Sequence, residues 1–185
     1  TPIRSSAASD VYKRQVSELR ESNIALAKFT HSGSQMNDWT PQGSKQAPGR
    51  HIYPQFIEFI QSSLKQLQDK GHDVELAGIV YHVGENEMSM HPYRKQAPGW
   101  LKSTIEQSRK DLKLPQLTWF VSQQPPTDDK RVNSIDVTSE IEKLAADDKH
   151  CVHLKMFALP PQDTKLGIAT AGIVERGTRR ADACL

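Results

Sequence analysis

The residues best suited to chemistry in this sequence lie in Leu76–Met88 (LAGIVYHVGENEM), where a hydrophobic run leads into Gly84, Glu85 and Asn86. A glycine at the carboxyl end of a strand lets a ligand approach the backbone closely. The neighbouring asparagine amide can donate a hydrogen bond to a developing oxyanion without carrying a charge. The pattern therefore predicts a donor site for negative charge, with a plain strand-ending turn as the alternative.

A second polar loop follows an apolar run in Ile24–Trp39 (IALAKFTHSGSQMNDW). Lys28 stands near the end of the apolar run, Gly33 and Ser34 lie in the loop, and Trp39 closes it. Taken alone, these residues fit a strand-to-loop turn with a buried tryptophan. Because they lie upstream of Leu76–Met88, the two segments can be compared together with the conserved blocks of a protein family.

In chain order, these two segments and a third, Leu159–Ala183, resemble conserved blocks of the SGNH hydrolases, in the sialate O-acetylesterase-like branch. One conserved block of the family is Trp-x-Gln-Gly-Glu-Ser/Asn-Asp. Gly84, Glu85 and Asn86 match its Gly, Glu and Ser/Asn positions. Three positions depart from it, with other residues in place of Trp, Gln and Asp: Tyr81, Val83 and Glu87. The earlier loop resembles a lysine-ending strand followed by Gly-Gly-Ser/Thr and a Trp.

The third segment keeps only part of its block, which in the family is Asp-x-x-His followed by a helix. The helix half agrees at five positions: Thr170, Gly172, Gly177, Arg179 or Arg180, and Ala181. Asp163 keeps the aspartate, but Leu166 stands where the family has histidine. Because leucine cannot accept a proton, that general base is absent from the sequence.

The resemblance implies a serine esterase that removes acetyl groups from sugar hydroxyls, with no cofactor and no metal. It assigns one oxyanion donor to the backbone N–H of Gly33 and another to the side chain of Asn86. Asp163 would orient the catalytic base. The residues expected to line the substrate site are Ser34, Gly84 and Glu85.

The serine nucleophile is missing from this pattern. The family carries it in an early Gly-Gln-Ser-Asn block, and neither that tetrapeptide nor Gly-x-Ser-x-Gly occurs here. Its place would lie upstream of Asn23. We therefore expect an N-terminally incomplete domain without esterase activity. A non-catalytic carbohydrate- or protein-binding domain on the same fold is the alternative, which Leu166, Val83 and Glu87 favour because they depart from the catalytic pattern.

No other histidine replaces the missing base on sequence grounds. Asp147–His150 repeats the Asp-x-x-His spacing, but it precedes a strand pattern and should lie at the opposite edge of the sheet. His82 and His153 fall within strand patterns, where we expect local structural contacts. His31, close to Gly33 in the chain, is the remaining candidate.

Residues 1–15 do not read as evolved protein. Ser5–Gln15 (SSAASDVYKRQ) looks like the forward translation of a transposase sequencing adapter, so we interpret 1–15 as adapter-derived and 16–185 as a partial acetylesterase-like domain. Residues 1–15 hold three of the 24 Lys and Arg residues and one of the 22 Asp and Glu residues. Without them the formal net charge falls from +2 to zero, which removes the main argument for a nucleic-acid partner.

The remaining expectations concern partners and location. No apolar run approaches the roughly 18 residues of a membrane-spanning helix. No Gly-rich phosphate loop supports a nucleotide-binding domain, and no pair of His or Cys residues has metal-ligand spacing beside a carboxylate. The partner that the resemblance implies is an acetylated carbohydrate, and the location that it implies is secreted or periplasmic.

The elements that must position these residues alternate along the chain. Four apolar runs are predicted as strands: Asn23–Phe29, Glu75–His82, Leu117–Ser122 and Cys151–Phe157. Helical patterns are predicted at Arg50–Lys70, Tyr93–Leu112, Ser139–Ala146 and Thr170–Ala183. This alternation predicts an α/β fold, a three-layer α/β/α flavodoxin-like parallel sheet. The polar loop 123–134 then follows a strand at the edge where ligands bind in such folds.

Overall fold

The structure, a computed structural model, describes residues 24–45, 47–83, 93–123 and 135–154. Within these ranges three helices alternate with three strands. The helices are α1 (Tyr53–Asp69), α2 (Tyr93–Asp111) and α3 (Ile135–Asp147), and the strands are β1 (Ile79–Val83), β2 (Trp119–Gln123) and β3 (Cys151–His153). Two short 3-10 helices, Met36–Trp39 and Pro48–Arg50, precede α1.

The three strands form a parallel sheet in the order β1-β2-β3. In register, Ile79 lies opposite Trp119, and Trp119 lies opposite Cys151. Because all three strands run in the same direction, Val83, Gln123 and His153 share one edge, the carboxyl edge of the sheet. The alternation of strands and helices around a parallel sheet confirms the predicted α/β class.

The core lies mainly on the face of the sheet that the odd-numbered strand residues line. All three helices contribute to it through apolar positions spaced by three or four residues. Its buried helix residues are Tyr53, Phe56, Ile57, Ile60, Ala97, Leu101, Ile105, Val137 and Ile141. The even-numbered face is buried too, at Phe120 and Leu154. A parallel sheet buried on both faces is the arrangement expected of a three-layer fold.

Helix α1 ends at Asp69, one residue before the end of the helical pattern predicted at Arg50–Lys70, and the glycine that follows caps it. Gly71, at the C′ position, has a φ of +83°, a conformation that glycine adopts without steric cost. Its N–H donates to Gln68 O at 2.8 Å, and the N–H of His72 donates to Leu67 O at 3.1 Å. These two bonds form a Schellman motif, which satisfies carbonyls of the last helical turn.

Some predicted element boundaries were wrong. Helix α3 begins at Ile135, four residues before the predicted start, and β1 begins at Ile79 rather than at Glu75. Helix α2 begins at Tyr93, as predicted, and continues through Pro98. Since Pro98 lies early in the helix, its missing N–H removes a single intrahelical hydrogen bond.

The first predicted strand does not form. Residues 24–30 adopt no regular secondary structure, and Leu26 is 39% exposed. In flavodoxin-like sheets the strand order is 2-1-3-4-5, so the second strand pairs with the first and not with the third. If residues 24–29 correspond to the second strand, none of the three described strands is their proper neighbour. The propensity for a strand is present, but a pairing partner is not among the described residues.

Candidate functional site

Gly33 lies in an exposed turn before the first 3-10 helix, with a φ of +68°. Its carbonyl accepts a hydrogen bond from Arg50 Nη1 at 2.8 Å. Its N–H donates to none of the described residues. The turn is therefore held through its carbonyl, while its N–H has no acceptor among the residues that the structure describes. Such an N–H is the kind of donor that stabilises an oxyanion.

Ser34 has both functions of its hydroxyl in use. The Oγ donates to His31 O at 2.9 Å and accepts from Trp39 Nε1 at 3.0 Å. The His31 ring is directed elsewhere, with Nδ1 3.1 Å from Ser32 O. Ser34 Oγ therefore links the two ends of the turn, and among the described residues it donates its proton to a backbone carbonyl rather than to the general base that an activated nucleophile needs.

A buried acid lies beneath this turn. Asp38 is completely buried, and its Oδ2 accepts the N–H of Gln35 at 2.9 Å and lies 3.7 Å from Arg50 Nε. Since a buried carboxylate needs such partners, Asp38 and Arg50 hold each other in place. Arg50 in turn holds the carbonyl of Gly33. The three residues form a chain of contacts that fixes the turn from below.

Neither Asp38 nor Arg50 is among the residues predicted from the sequence. The three-residue spacing of Gln35 and Asp38 was a usable local signal, because a side chain at that position can accept the N–H that precedes a helix. No comparable signal exists for Arg50, which lies 17 residues from the carbonyl that it binds. Only the folded chain brings the two together.

Trp39 attaches the loop to the rest of the domain. Its ring packs edge-to-face against Tyr81 of β1, with centroids 6.2 Å apart, and against Phe56 of α1 at 5.9 Å. Its carbonyl accepts a hydrogen bond from Thr104 of α2 at 3.2 Å. Tyr81 lies two residues before the end of β1. The loop that carries Gly33 is thus fixed to the strand that leads into Gly84–Asn86.

At the carboxyl edge, two adjacent buried residues of β2 each bind a histidine of a neighbouring strand. Ser122 Oγ lies 3.0 Å from His82 Nδ1. Gln123 Oε1 accepts from His153 Nε2 at 2.7 Å, while Gln123 Nε2 donates to Thr138 Oγ1 of α3 at 3.3 Å. These contacts confirm the prediction that both histidines make local structural interactions. They also fix the ends of all three strands relative to one another.

At the opposite, amino edge of the sheet, the described part of the chain carries no predicted site residue. His150 lies there, immediately before β3, and its carbonyl accepts from Trp119 N–H at 2.9 Å and from Arg109 Nη2 at 2.8 Å. This confirms the predicted position of Asp147–His150. Two open clefts of about 400 and 310 Å³ also lie at this edge. The first is lined by Glu106, Arg109, Lys110, Lys113 and Pro115, and the second by Leu76, Ala77 and residues 114–118. They are on the wrong side of the sheet for the predicted chemistry.

The other predicted site residues lie outside the described residues: Gly84, Glu85, Asn86 and Asp163. Of the predicted site, the structure describes Gly33 and the adjacent Ser34, whose Oγ accepts a hydrogen bond at 3.0 Å from the Trp39 ring that packs against Tyr81 of β1. Across the described ranges, no group of three or more His, Cys, Asp or Glu residues could hold a metal ion. No helix in those ranges is long and apolar enough to cross a membrane.

Among known protein families, one matches nearly the whole chain. The family model described as "Carbohydrate esterase, sialic acid-specific acetylesterase" matches residues 7–185, a range that includes part of the segment interpreted as adapter-derived. No curated protein matches the chain. The 1.6 Å X-ray structure of a protein from Arabidopsis thaliana is similar, with a TM-score of 0.73 over 94% of this chain and 17% sequence identity. The chain covers 65% of that structure's length, and at this identity the likeness shows the fold alone.

Proposed function

Because the chain belongs to the carbohydrate esterase family of sialic acid-specific acetylesterases, we propose that it forms part of a domain that removes acetyl groups from sugar hydroxyls. The observation that carries the proposal is the turn at Gly33. It combines a positive φ, a carbonyl bound by Arg50 and an N–H that donates to no described residue. Such a preorganised donor stabilises charge in a transition state without reorganising.

In the proposed reaction, a serine outside this chain attacks the acetyl carbonyl after a histidine accepts its proton. The negative charge on the carbonyl oxygen is then held by the Gly33 N–H and by the Asn86 amide. Asp163 orients the histidine, and Ser34, Gly84 and Glu85 line the substrate site. In the complete protein, Asn86→Ala should lower kcat/KM by about 100- to 1000-fold, the usual effect of removing one oxyanion donor.

The 185-residue chain itself should not hydrolyse acetyl esters, because it contains no Gly-Gln-Ser-Asn block and has Leu166 in place of the catalytic histidine. The assay is the release of nitrophenol from p-nitrophenyl acetate, measured beside a Ser34→Ala control. We expect both proteins to match the buffer rate. Turnover by the wild-type chain that the Ser34→Ala change abolishes would contradict this expectation.

The function of the complete protein is tested first by sequencing the native gene. The sequence must extend across codon 15 and through codon 166. A Gly-Gln-Ser-Asn block upstream together with histidine at position 166 would support the esterase. Release of acetate from an O-acetylated sialic acid by that protein, lost when the block's serine becomes alanine, would complete the test. A continuous gene without that serine and still with Leu166 would contradict it and favour the carbohydrate- or protein-binding domain.

A further inference from the structure

Arg50 is a charged side chain that contacts the Gly33 turn and stays accessible to solvent. Its Nη1 donates to Gly33 O at 2.8 Å, and its Nε lies 3.7 Å from the Asp38 carboxylate. The Arg50 side chain is 38% exposed, whereas the Asp38 side chain is completely buried. The fold therefore holds Arg50 in place without burying it, directly beside the residue that carries the proposed oxyanion donor.

A second arginine of the same chain shows how a structural arginine is used. Arg109 donates to two backbone carbonyls and to the Asp148 carboxylate, and its side chain is 12% exposed. Within the described residues, Arg50 donates a single side-chain hydrogen bond. Because a guanidinium has five N–H donors, Arg50 keeps the capacity to bind a further partner, and its exposure makes that capacity accessible.

The backbone around Arg50 is fixed as well. The Arg50 N–H donates to Ala47 O at 2.9 Å, and the N–H of Ile52 donates to Asp38 O at 2.8 Å. Ile52 is buried and directly precedes α1. An arginine that is held in this way loses less conformational freedom when it binds a ligand than a free one would.

The segment that contains Arg50 exposes positive charge. From residue 24 to residue 51 the sequence contains three basic residues, Lys28, Lys45 and Arg50, and a single acid, Asp38. Both lysines are exposed, and Asp38 is buried. The charged groups that this segment presents to solvent are therefore all basic, which attracts an anionic ligand.

We infer that Arg50 binds the carboxylate of an acidic sugar whose acetyl ester lies at the Gly33 turn. The second N–H of Nη1, together with one of Nη2, forms the planar fork that matches the two oxygens of a carboxylate. A residue's own N and O atoms lie within about 4 Å of each other, so one monosaccharide can reach both Arg50 and the Gly33 N–H. The choice of a sugar rests on the proposed function, but binding at Arg50 requires no esterase chemistry.

The probe is sialic acid, a monosaccharide with one carboxylate, titrated into the isotope-labelled 185-residue chain and followed by NMR. We expect saturable shifts of the Gly33 backbone N–H signal and of the Arg50 Nε–H signal. The methyl ester of sialic acid should bind about 10- to 100-fold more weakly, because it cannot form a charge-assisted hydrogen bond. Inorganic phosphate and acetate, which carry a charge but no sugar, should also bind more weakly than sialic acid.

Two variants locate the binding. Arg50→Gln keeps an amide that can donate to Gly33 O but removes the charge, and it should weaken the binding of sialic acid by about 10- to 100-fold. Lys45→Gln removes an exposed charge of the same segment and should change the affinity by less than about twofold. If Arg50→Gln does not fold, the acid and its methyl ester on the wild-type chain decide. Equal binding of acid and ester, equal losses in the two variants, or equal binding of phosphate or acetate would overturn the inference.

The esterase reaction and the binding of a carboxylate are tested on different proteins, so their failures can be told apart. If the 185-residue chain binds sialic acid through Arg50 but the complete protein releases no acetate, only the proposed function fails. If the complete protein releases acetate while the chain binds the acid and the ester equally, only the role of Arg50 fails.

Discussion

At the residue scale, the described part of the site depends on backbone conformation as much as on side chains. The N–H of Gly33 is presented by a left-handed turn whose carbonyl is bound to Arg50. A Cβ added at Gly33 would meet no heavy atom of the described residues within 4 Å. Against that part of the chain, the cost of a side chain at this position is therefore the backbone conformation itself. Such a cost can be separated experimentally from a steric one.

Gly33→Ala should lower the free energy of unfolding by about 1 to 2 kcal/mol, because alanine is disfavoured in the left-handed region. Gly33→Asn should cost less, since asparagine enters that region more readily. Urea unfolding followed by circular dichroism measures both. The matched control is Gly49→Ala, at a glycine that also has open space but no positive φ. Equal losses at the two glycines would show that the conformation of Gly33 is not the cause.

At the element scale, one arginine joins the end of α2 to the beginnings of two strands. Arg109 Nη1 donates to Asp148 Oδ2 at 2.6 Å, its Nε donates to Leu117 O at 3.0 Å, and its Nη2 donates to His150 O at 2.8 Å. Both charged side chains are largely buried, at 12% and 23% exposure. Burial by itself would raise the pKa of the Asp148 carboxyl. The hydrogen bonds from Arg109 and from the His150 N–H outweigh it and hold that pKa below its usual value.

This lowered pKa predicts a pH-dependent contribution to stability. A carboxyl group with a depressed pKa in the folded state stabilises the fold above its unfolded pKa of about 3.9, and the contribution is lost as the pH falls through the folded pKa. Asp148→Asn should therefore cost about 1 to 3 kcal/mol at pH 7, and the difference from wild type should shrink below about pH 4. Urea unfolding at a series of pH values measures it.

The control for this prediction is an exposed ion pair on α1. Asp69 accepts from Lys65 at 2.7 Å, and its side chain is 59% exposed. Exposed pairs contribute little, so Asp69→Asn should leave the stability nearly unchanged at every pH. A pH-independent loss at Asp148→Asn would mean that packing, and not the charge, is what the aspartate supplies.

At the scale of the whole molecule, the described helices and the sheet close over a single thiol. Cys151 begins β3 and is 4% exposed. Burial raises the pKa of this thiol to about 11, and the nearby Asp148 carboxylate adds to the effect. Since the thiolate is the reactive form, Cys151 should be unreactive in the folded protein on two grounds, access and ionisation.

In a Cys184→Ser chain, which leaves Cys151 as the only thiol, DTNB at pH 8 should give no colour while the protein is folded. One equivalent should appear in denaturing urea. Labelling under native conditions then reports the opening of the core. Rapid stoichiometric labelling, with an unchanged circular dichroism spectrum, would show that β3 is accessible and contradict the packing described above.

The sequence by itself determined the features that depend on neighbours along the chain. The apolar period of α1, the Gly71 cap and the alternation of strands with helices are local patterns, and each predicted its element. The resemblance of Gly33 and Ser34 to a conserved block of the family also rests on residues that are close together in the chain. These are properties of short segments, which carry their signal in residue type and spacing.

Only the tertiary structure decided the contacts that join distant parts of the chain. Residues 24–29 have the composition of a strand, but a strand exists only where another backbone completes its hydrogen bonds, and the described fold provides none. Arg50 reaches Gly33, and Gln123 reaches His153, across 17 and 30 residues. The physical reason is the same in each case. A hydrogen bond between distant residues depends on how the whole chain folds, and no local pattern encodes it.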